Sequence, residues 1–181
     1  MRRTGLEMDE LLILVDESDR TIGFAEKGEV HQRGLLHRAF SIFIFNTKGE
    51  FLLQRRASTK YHSAELWTNT CCGHPVYGEM LFDAANRRLS QEMNFSVQLN
   101  EICTFTYKSH FENGLIENEI DHIFFGITDE HPVPNKSEVD EWKYISLAEL
   151  TKDIKANPAA YTAWFKIVLE KNLLGDLTQL K

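Results

Sequence analysis

The stretch NTCCGHPVYGE, Asn69–Glu79, places two cysteines, a histidine and a glutamate close together, beside two glycines and a proline. Those residue types admit a metal clip, a reactive thiol in a tight turn, or the start of a phosphate-binding loop. In an extended chain alternate side chains share a face, so Cys72 and His74 point one way and Cys71 the other. A one-residue slip in register would exchange the two thiols. The same alternation joins Glu117 to Glu119 in IENEI, with Asn118 opposite. His31 and His37, six residues apart, can converge from a loop and the start of the next strand. Three histidines and two carboxylates form a nitrogen and oxygen donor set suited to a divalent ion such as manganese, zinc or magnesium. A zinc clip on the adjacent cysteines would need a second cysteine pair, which the chain lacks.

These side chains need elements to hold them. ELLILVD and TIGFAEKG read as two strands around the polar turn ESDR, and HRAFSIFIFN and EFLLQRRA flank TKG as a hairpin. LFDAANRRLSQEM places Phe82, Ala85, Leu89 and Met93 on one helical face. EICTFTYKS and IENEIDHIFFGIT read as strands joined across HFENG, and EWKYIS as another. Ser146 followed by Glu149 is a capping-box signature. PAAYTAWFKIVLEKNLL then reads as one closing helix with Pro158 in its first turn. Strands and helices mixed in this order predict an α/β or α+β sandwich.

The bulk properties narrow the class. With no repeat or linker, the 181 residues predict a single domain spanning 1–181. A net charge of −7 argues against an extended nucleic-acid surface while leaving room for a small anionic ligand met by local cations. The N-terminal apolar run, Leu11–Val15, is too short for a signal-peptide core or a membrane span. Three cysteines are too few for a disulfide framework and predict a cytoplasmic protein. Among the remaining residues, His122 alternates with Ile120 and Phe124 and reads as a satisfied core residue. His62, His110 and His131 lie in polar stretches that predict exposure and receive no role, and Cys103 reads as core packing.

From Gly73 the spacing runs five residues to Glu79, seven more to Arg87, then Leu89 and Glu92, and this resembles the Nudix box. Such a box is a loop–helix unit whose glycine relaxes the loop while helical spacing aims carboxylates at metal ions holding a diphosphate. Three positions depart from the pattern: Arg88 and Gln91 stand where the family has glutamates, and Asn94 where it has glycine. Asn tolerates a positive backbone φ, so that change is mild. Losing two carboxylates removes most of a hydrolase's metal cluster and leaves a box suited to holding a diphosphate. These departures, with EKGEVH, LHRAFSIFIFN, QRRASTK, LWTNTCCGHP, ENE and TAWF, resemble the type 1 isopentenyl diphosphate isomerase family, whose members have a Nudix-type sandwich of mixed sheets flanked by helices.

The resemblance implies an enzyme that moves a double bond within a five-carbon prenyl diphosphate through a tertiary carbocation. By that resemblance His31, His37, His74, Glu117 and Glu119 are ligands of a divalent manganese, zinc or magnesium ion, and Glu92 holds a magnesium ion. Lys27, Arg56, Lys60 and Arg88 neutralise the diphosphate, arginine offering a planar fork of donors. Cys72 and Glu119 form an acid–base pair on opposite faces of the substrate. Tyr107 relays or assists the proton at Glu119: a nearby metal makes that carboxylate a poorer acid, so either the metal tunes it only weakly or Tyr107 delivers the proton. Trp164 lays its ring against the developing cation, the alternative being ordinary helix core. Arg55 reads as a solvated strand end. A Nudix diphosphohydrolase is the rival enzyme, and a metal-stabilised binding module the rival non-enzyme.

Overall fold

A computed structural model describes residues 10–60 and 62–175. Strands β1 (Leu11–Val15) and β2 (Thr21–Glu26) pair antiparallel, and helix α1 (Lys27–Arg33) follows directly. Then come β3 (His37–Phe45), β4 (Phe51–Arg56), and the short β5 (Trp67–Thr68) and β6 (Cys71–Gly73). After helix α2 (Leu81–Met93) the chain forms β7 (Asn100–His110), β8 (Ile116–Ile127) and β9 (Val139–Ile145). Helices α3 (Leu147–Ala156) and α4 (Ala163–Glu170) close it, with a 3-10 turn, Pro158–Ala160, between them.

Strand β3 is the organising element. One of its edges is occupied throughout by β8, running parallel from His37↔Glu119 to Phe45↔Ile127. The other edge is shared in succession by β1 at His37, β6 at Phe40–Ile42 and β4 at Ile44–Phe45. Three strands abutting one edge must diverge, and the sheet forks there. Phe40, Ile42 and Ile44 pack with Ala84, Ala85, Leu89 and Met93 of α2, while Phe43 and Phe45 pack with Leu150, Trp164, Phe165 and Val168 of α3 and α4. Alternation along β3 thus feeds a core on each face, which is why the strand reads as a continuous apolar run. The result is the α/β sandwich that the order of elements predicts.

The fork is filled by side chains imitating a strand. The Thr70 hydroxyl accepts from the Ile44 N–H (2.9 Å) and donates to the Leu52 carbonyl (2.6 Å). The Asn69 amide donates to the carbonyls of Ile42 (3.2 Å) and Cys71 (2.7 Å). Neither residue is exposed to solvent, and buried backbone groups need such partners.

Three local expectations are corrected. TIGFAEKG is strand only to Glu26; from Lys27 it is helix, so His31 sits on α1 rather than in a loop. The closing helix is interrupted after Ala160 by extended Tyr161 and Thr162, whose N–H donates to the Trp67 carbonyl (3.0 Å), docking the chain on β5 and restarting the helix at Ala163. Phe82 is 48% exposed, and α2 buries Ala84, Ala85, Leu89, Glu92 and Met93 instead. The Ser146–Glu149 capping box forms, and Asn94 ends α2 at φ 57°.

Candidate active site

The rings of His31, His37 and His74 stand 4.9 to 5.4 Å apart, brought together by α1, the first residue of β3 and the end of β6. One donor atom from each, with one oxygen of Glu119, lies within 4.8 Å of the others. Backbone carbonyls fix two of the imidazoles: Nδ1 of His31 faces the Lys27 carbonyl at 2.7 Å, and Nδ1 of His37 faces that of Leu35 at 2.8 Å. With Nδ1–H donating, Nε2 carries the lone pair, which is the tautomer a metal ligand requires. His37 Nε2 is buried without a hydrogen bond of good geometry, although Glu119 Oε1 is 3.3 Å away. His74 Nε2 stands 2.9 Å from the same oxygen. Burial depresses the basicity of His31, and that of His74 to about 3. Imidazole nitrogens converging on a carboxylate oxygen fit a divalent cation by donor chemistry.

Glu117 stands outside that tight group. Its Oε2 lies 2.9 Å from the Tyr107 hydroxyl, which is also 2.6 Å from Glu119 Oε2. Burial and the neighbouring Glu119 charge push Glu117 well above the ordinary carboxyl range. Burial also opposes ionisation of Glu119, but His37 and His74 outweigh it and hold Glu119 well below that range. Burial, then the two carboxylates, raise the Tyr107 phenol. Two carboxylates sharing a buried site separate their titrations in this way.

Cys71 points into the α2 core, fully buried, while Cys72 lines a cavity of 380 Å³ with His74, Tyr107, Glu117, Glu119 and Trp164. Register along β6 therefore selects Cys72, as alternation predicts. Burial pushes its thiol up to about 12, so it keeps its proton at neutral pH. The Trp164 indole donates to Asn69 Oδ1 (3.1 Å), tying α4 to the fork. The Arg56 guanidinium carbon stands 5.4 Å from the Trp164 ring centre.

Lys27, Arg56, Lys60 and Arg88 all line the same cavity. Lys27 Nζ reaches Glu10 (3.3 Å), and Lys60 pairs with Glu138. Arg88 bonds Glu92 (2.5 Å) and Glu138 (3.1 Å), and Glu92 also accepts from Gln54 (2.8 Å). Gly73 lets α2 approach: a Cβ there would stand 3.2 Å from the Phe40 ring and 3.3 Å from Arg88 Cγ. Glu79, the last residue of the opening stretch, takes a two-pronged bond from Arg87 (2.6 and 2.8 Å) and staples the loop to α2. Arg55, 30% exposed along its side chain, pairs with Glu141 at the surface (2.6 Å).

His122 is satisfied as expected, between Glu101 (2.6 Å) and Asp19 (3.0 Å). His110 and His131 are exposed, and Cys103 packs on the α4 core. His62 is the correction. Predicted to be exposed, it is 8% exposed, lines the cavity and stands 3.3 Å from Glu117. Its polar neighbourhood hid it, because only the packing of β7, β8 and α4 encloses that loop.

The family model described as the NUDIX domain matches residues 35–165. Structural likeness agrees: a Deinococcus radiodurans crystal structure superposes with a TM-score of 0.73 at 20% identity, covering 89% of this chain and 98% of that one. A MutT protein from Methanosarcina mazei gives 0.61, also at 20% identity, over 75% of this chain and 91% of its own. These likenesses establish a Nudix fold.

Sequence similarity is finer-grained. Isopentenyl-diphosphate Delta-isomerase 2 of Photorhabdus laumondii is 52% identical over 95% of this chain and 97% of its own length. Isopentenyl-diphosphate Delta-isomerase of Serratia proteamaculans is 50% identical over 90% and 91%. The chain belongs to the isopentenyl-diphosphate Delta-isomerase family of Nudix-domain proteins.

Proposed function

We propose that the cavity interconverts isopentenyl and dimethylallyl diphosphate, the reaction for which these relatives are named. A proton added to the terminal methylene carbon of isopentenyl diphosphate leaves a tertiary cation at C3. Loss of a proton from C2 then gives the dimethylallyl isomer, with no net change in atoms. The carrying observation is that a half-buried thiol, a phenol-bridged carboxylate pair and four cations line one cavity.

Cys72 and Glu119 serve as the acid–base pair, and Tyr107, 2.6 Å from Glu119, relays its proton. Trp164 offers its ring to the cation, and the enclosing walls keep water from capturing it. Arg56, Lys60, Arg88 and Lys27 bind the diphosphate. A divalent manganese, zinc or magnesium ion would be held by His31, His37, His74 and Glu119 with Glu117 alongside, and magnesium by Glu92 at the diphosphate; such ions supply positive charge that fixes carboxylates and offsets phosphate. Among the described residues no helix is long and apolar enough to cross a membrane. With three free cysteines and a net charge of −7, we place the protein in the cytoplasm, acting on a small prenyl diphosphate rather than on nucleic acid. The Nudix diphosphohydrolase reading is weaker because the box carries Arg88 and Gln91 at carboxylate positions, and Arg88 occupies Glu92.

Incubation with isopentenyl diphosphate in heavy water tests the reading. Isomerisation with deuterium entering substrate carbon is expected. Release of phosphate without isomerisation would replace it with hydrolysis, and no reaction would overturn it.

A further inference from the structure

We propose that His62 is a positioning residue that fixes the carboxyl plane of Glu117 and, through it, the Glu117–Tyr107–Glu119 proton-transfer set. This rests on the isomerase reading and adds a residue to it.

The need for such a residue follows from torsional freedom. The last torsion of a glutamate is broad and roughly two-fold, so one hydrogen bond leaves the carboxyl plane free to rotate. Tyr107 touches only Oε2 of Glu117, and its hydroxyl has a single proton to share between Glu117 at 2.9 Å and Glu119 at 2.6 Å. His62 Nε2 stands 3.3 Å from the other oxygen, Oε1. With a polar neighbour at each oxygen, the plane is restricted, and with it the lone pair that Glu117 turns toward the phenol.

His62 is itself immobilised. Its ring stacks on Phe111 at 4.6 Å and 23°, and meets Trp164 edge-on at 6.1 Å. Its Nδ1 lies 3.3 Å from the Ser63 hydroxyl; with that hydroxyl donating, the ring proton sits on Nε2, the nitrogen 3.3 Å from Glu117. Arg56 grips the backbone from below: Nη2 donates to the His62 carbonyl (3.2 Å) and Nε to that of Ser63 (3.1 Å). The loop between β4 and β5 therefore carries Lys60 to the diphosphate end and His62 to the proton-transfer end, anchored by one arginine.

The test compares His62→Phe with His62→Gln in the full chain. Phenylalanine keeps the stacking on Phe111 and Trp164 and removes the nitrogens; glutamine keeps an N–H donor and removes the ring. For His62→Phe the expected result is a kcat lower by about ten- to a hundred-fold, the scale of an ångström-level misplacement. KM should stay within threefold and the melting temperature within a few degrees. His62→Gln should recover part of kcat despite its poorer packing. Manganese affinity, followed by electron paramagnetic resonance without substrate, should weaken in the phenylalanine variant because Glu117 loses its orientation beside the histidine cluster. Wild-type kcat and manganese affinity in His62→Phe would overturn the inference alone. So would equal losses of kcat, KM and melting temperature in both variants, which would make the role purely structural. An inactive wild type would overturn the isomerase reading itself.

Discussion

Thr70→Val isolates the fork that presents Cys71–Gly73. Valine matches threonine in shape but replaces the hydroxyl with a methyl. Thr70 is fully buried, and its hydroxyl accepts from Ile44 N–H at 2.9 Å and donates to the Leu52 carbonyl at 2.6 Å. Leaving a buried polar group without its partner costs about 1–3 kcal/mol, and two backbone groups are affected. The extra methyl returns roughly 0.8 kcal/mol of apolar burial. The net loss expected is about 1–5 kcal/mol, or roughly 2–20 °C in melting temperature for a chain of this size. Urea unfolding followed by tryptophan fluorescence should show the midpoint falling with an unchanged slope, since the surface exposed on unfolding is the same. Thr70→Ser retains the hydroxyl and should lose only about 1 kcal/mol, the contribution of a methyl. Because Thr70 precedes Cys71–Gly73, the valine variant should also lose activity beyond its unfolded fraction. A valine variant as stable as wild type, or a serine variant as damaged as valine, would refute the claim that this hydroxyl substitutes for a strand.

Four further outcomes follow from the same geometry. Cys72→Ala should abolish deuterium incorporation from heavy water while leaving the fold intact, since the thiol lines the cavity at the margin of the core and is only partly buried; full retained exchange would remove Cys72 from the mechanism. Arg56→Ala should raise KM for the diphosphate and also loosen the His62 loop, so kcat falls with it; an unchanged KM counts against the diphosphate role. Glu138 is the anion that Lys60 and Arg88 share, so Glu138→Gln should lower the inhibition constant of inorganic pyrophosphate while reducing stability, and a higher constant would show that Glu138 orients those cations instead. Asp153 accepts from the Tyr161 hydroxyl (2.5 Å) and Asn157 (2.8 Å), which hold its carboxyl below the ordinary value. A depressed folded-state pKa contributes stability that is present above the unfolded value of about 3.9 and lost as pH falls below it. Asp153→Asn should therefore flatten the acid side of the stability profile below about pH 4, and urea midpoints of the two proteins diverging as pH falls would contradict it.

Local rules carried much of the chain. Alternation in NTCCGH and IENEI separates Cys72 from Cys71 and pairs Glu117 with Glu119, and the structure keeps both arrangements, because a strand's two-residue period does not depend on what it packs against. The Ser146–Glu149 box and the positive φ of Asn94 are likewise local events, set within a few residues. Tertiary structure decided the rest. Whether EKGEVH is strand or helix depends on α1 closing against β8, where the Asn118 amide donates to the Gly34 carbonyl (3.0 Å). Trp67 and Thr162 interrupt a segment that reads as one helix, since docking Thr162 on β5 outweighs helix continuation there. His62 lies in polar text and is buried all the same, because its cover comes from Phe111 and Trp164, distant in sequence. The sequence by itself determined which side chains share a face; which faces meet, and so which groups lose water and shift their protonation, was settled by the forked sheet folding α1, β6 and β8 around a common point.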